Sequence, residues 1–233
     1  MINQIKDLSK AIIFLVVVCF VVSCEKDEFY SCDPDIDTWV KSNLVEIRDM
    51  TRADWLAIGD NDLQRAAFIA FTPDQKRALW IGKMEEVLTL DWTEQEREHL
   101  QYILEFLKVD PFIFLSKSDL DVADIDELDL ILYKWEEYAK ETLGWDDELL
   151  YNLVYTAKVM NINKEIDSDF AASPRLKDKR EIPKTYCSCN TNSDCRGNGK
   201  CWESTDLGLK CTQSEAGCGL FHNNPCYKLC HTE

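Results

Sequence analysis

The cysteines divide this chain in two, and no other feature constrains its fold as much. Asp33 to Tyr186 is a run of 154 residues without a cysteine, whereas Cys187, Cys189, Cys195, Cys201, Cys211, Cys218, Cys226 and Cys230 follow within 44 residues. An even number at that density marks a disulfide framework in an exported chain. The cause is size. A segment of about 45 residues buries too little apolar surface to offset its conformational entropy, so cross-links must lower the entropy of the unfolded state. Spacing does not choose among the roughly one hundred possible pairings.

Two other uses of clustered cysteines fit less well. Structural zinc centres show paired C-x2-4-C units, and here only Cys226 and Cys230 have that spacing, with His222 and His231 as possible further ligands. Thioredoxin-like redox chemistry needs C-x-x-C at a helix start, and the tail offers only the C-x-C of Cys187-Ser188-Cys189. The expectation is bridges, with no metal and no cofactor.

The other end of the chain supplies the compartment. Lys6 and Lys10 precede an uncharged stretch of thirteen residues, Ala11 to Ser23. Those are signal-peptide proportions, and the stretch is short for a membrane span of ~20 residues. It ends in Val21-Val22-Ser23-Cys24, which resembles a bacterial lipobox, with Cys24 as the acylated residue. Glu25-Lys26-Asp27-Glu28 then resembles the charged export tag of surface lipoproteins of Bacteroidota. A lipid anchor needs no transmembrane helix. The expected location is therefore extracytoplasmic, anchored to the outer membrane through the lipid and displayed on the surface. With Cys24 acylated and Cys19 removed, Cys32 is the odd cysteine, either free, paired between chains, or matched by an unpaired one in the tail.

Between the two ends the chain is acidic. Asp33 to Asp169 holds 32 Asp/Glu against 14 Lys/Arg, while Cys187 to Glu233 holds 5 against 4. Such a body repels phosphate backbones, which argues against a nucleic-acid partner. From Asp35 to about Ile162 the pattern is that of five to seven consecutive amphipathic helices. Thr72-Pro73-Asp74-Gln75 and Thr93-Glu94-Gln95-Glu96 are capping boxes, and Thr51-Arg52-Ala53-Asp54 is a looser one. Apolar residues recur three and four apart at Leu79, Ile81, Met84, Val87 and Leu88, then at Leu100, Ile103, Leu104 and Leu107. Longer helices are expected over Ala123 to Leu143 and Asp146 to Met160, and Pro111 to Leu115 is the one strand candidate.

Chemistry-bearing patterns are sparse in this body. His99 is its only histidine. The acidic runs at Asp33, Asp35 and Asp37 and at Asp119, Asp121, Asp124 and Asp126 lack the Gly and Glu of a calcium loop, so they are expected at helix N-termini, where carboxylates meet the positive dipole end. Six tryptophans, Trp39, Trp55, Trp80, Trp92, Trp135 and Trp145, are expected in the core with their N–H groups satisfied. Segment 171–186 contains Pro174, Pro183, five Lys/Arg and two acids. It is expected as an exposed basic linker, and Lys179-Arg180 is a candidate processing site.

Taken together, the lipoprotein-type signal, "CDPDIDTWVKSNL", "MTRADWLAI", the stretch from Phe71 to Leu100 and the C-terminal cysteine pattern resemble the bacteriocin fulvocin C-related proteins of Bacteroidota. The resemblance implies a toxin-like tail, and the long acidic helical region departs from what a mature peptide toxin needs. The expected architecture is mainly α. It comprises a signal peptide (1–23), an anchor and tether (24–34), an acidic irregular multi-helix bundle (35–170), the linker (171–186) and a small disulfide-rich module (187–233). The expected function is that of a non-enzymatic surface lipoprotein carrying a bacteriocin-like module, antibacterial after release. Trp202, Phe221 and Tyr227, with Leu220, would then supply apolar contact with an unidentified envelope receptor. The alternative is an anchored binding or adhesion lipoprotein whose tail recognises a surface ligand without toxicity.

Overall fold

A computed structural model describes residues 28–31, 33–166, 185–186, 189–195, 200–203, 211–212 and 214–231. Cys24, Cys32, Lys179, Arg180 and Cys187 lie outside them, as does most of the linker. Among the described residues no helix is long and apolar enough to cross a membrane.

Eight α-helices make up the body: α1 (Pro34–Ser42), α2 (Leu44–Asp49), α3 (Arg52–Leu56), α4 (Asn61–Ala70), α5 (Pro73–Val87), α6 (Glu94–Val109), α7 (Val122–Glu141) and α8 (Asp147–Val154). The count exceeds the expected range because the first stretch breaks into three short helices. The Asn43 amide folds back onto the Trp39 and Val40 carbonyls to close α1, and the extended backbone of Met50 ends α2. All three threonine boxes form, including the looser one, where the Asp54 carboxylate takes the place of Glu or Gln at Thr51. The box on α5 does a second job. The Gln75 amide that closes it also donates to the carbonyls of Ile47 and Met50, at 2.9 and 3.2 Å, and so satisfies the free end of α2. Asp33 and Asp121 cap α1 and α7 with their carboxylates. Both acidic runs are thus helix starts.

The stripe Leu100, Ile103, Leu104 and Leu107 of α6 is buried as its spacing predicts, and it packs between α5 and α7. Helix α4 lies across α1, α2 and α3 with Ala66, Ala67, Phe68 and Ala70 inward. Each fully buried Leu or Ile contributes about 1.5–3 kcal/mol relative to its exposed state. Trp55 and Gln64 lock α3 to α4 reciprocally: the indole N–H donates to the Gln64 carbonyl at 2.8 Å, and the Gln64 amide to the Trp55 carbonyl at 3.1 Å. His99 and Trp135 do the same for α6 and α7. Their rings stack at 4.7 Å, and each donates to the other's backbone carbonyl. The expectation that the tryptophan N–H groups are satisfied holds for Trp55, Trp92, Trp135 and Trp145. It fails at buried Trp80, whose indole N–H has no hydrogen-bond partner among the described residues.

Two sequence expectations are corrected. Pro111 to Leu115 forms a turn rather than a strand, initiated by the Asp110 carboxylate accepting from the amides of Phe112 and Ile113, and it tucks Ile113 and Phe114 into the core. Helix α8 stops at Val154 rather than Met160, and residues 155–166 run on as an irregular strap closed by a bridge between Met160 and Ile166.

Among the described residues the tail carries six short strands in three pairs: β1 (Thr185–Tyr186) with β3 (Cys211–Thr212), β2 (Lys200–Trp202) with β6 (Leu229–His231), and β4 (Ser214–Cys218) with β5 (Asn224–Cys226). Three disulfides among the described residues join Cys189 to Cys201, Cys195 to Cys230 and Cys218 to Cys226. The molecule is thus mainly helical with a disulfide-rich C-terminal region. This region is not a free appendage, because the turn joining β4 to β5 enters the helical core.

Candidate functional site

The β4–β5 hairpin carries the tail's apolar payload on five residues, Gly219 to Asn223. At its neck Cys218 and Cys226 are bonded and fully buried. Gly219 has φ 72°, a left-handed conformation natural to glycine, and a Cβ at this position would collide with the Asn224 side chain. Its amide donates to the Asp194 carboxylate, which also accepts from the amides of Asn190 and Thr191 at 2.8 and 3.0 Å. Phe221 and His222 are left-handed as well, with φ of 57° and 56°. Non-glycine residues in that region cost of order 1–3 kcal/mol each and persist only where their surroundings over-determine them.

The bundle does so here. Phe221 is 0% exposed, edge-on to Trp80 of α5 at 5.1 Å. The His222 ring meets Phe68 of α4 at 5.2 Å and Trp80 at 5.3 Å, both near perpendicular. Its Nε2 donates to the backbone carbonyl of Tyr155 at 2.9 Å. Burial is the main reason the imidazole pKa falls to about 4; nearby Arg65 lowers it further, while the Tyr155 hydrogen bond and the Asp194 charge oppose the shift. The group is neutral at pH 7, as an apolar slot requires.

Beneath the tip the strap after α8 is held by its carbonyls. Tyr155 accepts from His222, Ala157 from Arg52 Nη1 at 2.6 Å, and Lys158 from the Lys83 ammonium. Arg52 also pairs with Glu86 at 2.6 Å, leaving its buried Nε without a partner among the described residues. Lys83 is 0% exposed. Desolvation, helped by the neighbouring Arg52 charge and opposed by Glu86, brings its pKa down to about 7. Around the rim the contacts are polar. The Tyr155 hydroxyl donates to Glu136 at 3.1 Å; burial, first of all, raises its pKa, and Ser193 of the tail works against that rise. Burial pulls the Arg65 pKa down, and the nearby carboxylates of Asp62 and Asp194 counter that pull.

The expected contact residues do not form one surface. Tyr227 is 44% exposed and Trp202 is half-buried on β2. In the intact chain Phe221 is an inward anchor, because the left-handed turn aims it at Trp80, and Leu220 is buried beside it. Lys228 pairs with Glu203 at 3.1 Å. The Sγ atoms of Cys189, Cys195 and Cys201 lie within 4.8 Å of one another, a spacing that could hold a metal ion. Each is engaged in a bridge, and a bridged sulfur has no thiolate to offer. Cys211 occupies β3, in register with Thr185. His99 has Trp135, Tyr138 and Trp145 around its ring, and burial lowers its pKa.

Lys83, Arg52 and Tyr155 were not singled out by the sequence, because a lysine or arginine on an acidic helix has the appearance of a solvated charge. The available signal was Leu220-Phe221, an apolar pair behind a glycine between two close cysteines. Comparison of the chain with family models, curated proteins and solved structures finds no match.

Proposed function

We propose that the chain is a non-enzymatic, exported surface lipoprotein, acylated at Cys24, that carries a bacteriocin-like disulfide module on an acidic helical domain. The observation behind this reading is the tail's oxidised framework. Three bridges in the described part of one short segment fit a chain that matures outside the cytoplasm. The lipobox and the fulvocin C-like cysteine pattern add the anchor and the toxin-like character. In this reading cutting at Lys179-Arg180 frees residues 187–233 for an envelope receptor. The module's near-neutral charge suits a specific receptor better than cationic membrane disruption.

A second reading is favoured by the buried tip. With Phe221 held under the bundle, an uncut chain presents Tyr227 and Trp202 but not the anchor, which suits an anchored binding lipoprotein whose tail recognises a surface ligand. Mass spectrometry of cells and culture fluid separates the two. Release predicts a disulfide-bonded fragment of about 5 kDa that inhibits a susceptible strain. Retention predicts only the intact acylated chain on the cells. Loss of fatty-acid labelling in Cys24→Ala checks the anchor, and a soluble chain unaffected by that change would remove it from either reading.

A further inference from the structure

The junction between tail and bundle has the anatomy of a binding interface. One apolar anchor, Phe221, fills the centre against Trp80 with Leu220 beside it. One directional hydrogen bond, from His222 Nε2 to the Tyr155 carbonyl, sets the register. At the rim the turn Asn192–Asp194 packs against α8, and Arg65 of α4 lies beside Gly217 of the hairpin. A buried aromatic anchor ringed by polar contacts is how hot spots are built between separate proteins.

The two sides are also organised independently. The bundle's core takes in Leu220 and Phe221 of the tip, but its three capping boxes and its reciprocal Trp55–Gln64 and His99–Trp135 locks are made without the tail. The hairpin has its own determinants: the Cys218–Cys226 bond, the Gly219 turn and the Asp194 carboxylate that holds the Gly219 amide. The two bonded cysteines are buried apart from the bundle's hydrophobic cluster. A loop preorganised by its own covalent clamp loses little further freedom on docking, which is the condition under which a small ligand binds tightly.

We propose that the helical domain is a receptor for this hairpin tip: a groove between α4, α5 and the strap after α8 that takes a neutral, disulfide-closed Gly-Leu-Phe-His-Asn loop, its own or that of another copy. Cutting the chain within 171–186 then leaves one two-chain particle. The module departs only when the tip leaves the groove, and an emptied groove captures the same loop in trans. This holds whether or not the module kills, because no toxicity enters it.

The test uses the full exported chain with a site for a sequence-specific protease inserted between Lys179 and Arg180. After cutting, the fragments are run on native size exclusion at micromolar concentration. They are then challenged with a synthetic disulfide-closed peptide spanning Cys218 to Cys226, while circular dichroism follows the bundle. Co-elution, displacement of the module by the peptide and unchanged helicity are expected. The peptide with Phe221→Ala should compete at least about a hundredfold more weakly, since such truncations of a buried Phe cost several kcal/mol. Separation of the fragments on cutting, with helicity intact, overturns the proposal because the groove then has no affinity of its own. Loss of helicity on displacement overturns it as well, because the tip is then part of one indivisible core rather than a ligand.

Discussion

Two bases packed into the fold, His222 and Lys83, both make stability rise with pH, over different ranges. His222 has its pKa pushed to about 4 from an ordinary 6.5. Above pH 6.5 it is neutral in both states and docking carries no penalty. Between 6.5 and 4 the unfolded chain binds a proton that the folded chain refuses, so stability is lost on acidification, by up to about 1.4 kcal/mol per pH unit. Melting temperature should therefore fall from pH 6.5 to 4, and His222→Phe should flatten that limb. Lys83 acts on the alkaline side, with a pKa near 7 in the fold against an ordinary 10.5. Below pH 7 its charge is held in both states and the fold bears the full cost of desolvating it. From 7 towards 10.5 only the unfolded chain remains charged, so this group's contribution rises with pH. Lys83→Met should abolish that rise in a thermal melt series from pH 7 to 10. Neither group was legible beforehand, because residue type and spacing carry no information on burial depth when the partner is a backbone carbonyl far along the chain.

Helix boundaries show what local sequence can and cannot specify. The capping boxes at Thr72 and Thr93 were readable because both halves of each lie within four residues and need no tertiary partner. Thr93→Ala should lower stability by about 1 kcal/mol in a denaturant titration while leaving the tail's bridges in place. An unchanged midpoint would mean that α6 is held by packing alone. The far end of α7 obeys local rules too. Gly144, at φ 70°, lets the Trp145 amide reach back to the Ala139 carbonyl at 3.0 Å and drops the indole among His99, Trp92 and Trp135. Where α8 ends was not readable. Tyr155 to Met160 has helical propensity enough, but its carbonyls are taken by Arg52, Lys83 and His222, which come from α3, α5 and the tail. A helix would have used those same carbonyls for itself.

The division into a helical body and a cross-linked tail followed from cysteine density and apolar period, and the molecule has both. The pairing did not follow, since spacing leaves it open, and neither did the fusion of the two parts. Leu220 and Phe221 had the pattern of a surface patch because nothing nearby in the chain covers them. The bridges should differ in weight. Cys195–Cys230 spans 35 residues and Cys218–Cys226 spans 8. Loop-closure entropy then assigns about 4 kcal/mol to the first and about 2.5 to the second. The paired serine variant at Cys195 and Cys230 should accordingly lose more stability in urea than the pair at Cys218 and Cys226. The reverse order would show that the small bridge acts mainly through the docked tip.

One further consequence lies in the β2–β6 ladder, where Cys201 and Cys230 stand directly opposite each other while each is bonded elsewhere. Facing residues on paired strands have their Cβ atoms within about 5.5 Å, close enough for their sulfurs to meet. The ladder that stabilises the finished tail therefore also brings together the wrong partners during oxidation. A chain that oxidises by proximity alone seals a non-native staple and strands Cys189 and Cys195. The observed pairing is therefore reached only if the Cys189–Cys201 link forms before the strands zip or a misformed Cys201–Cys230 bond is reshuffled.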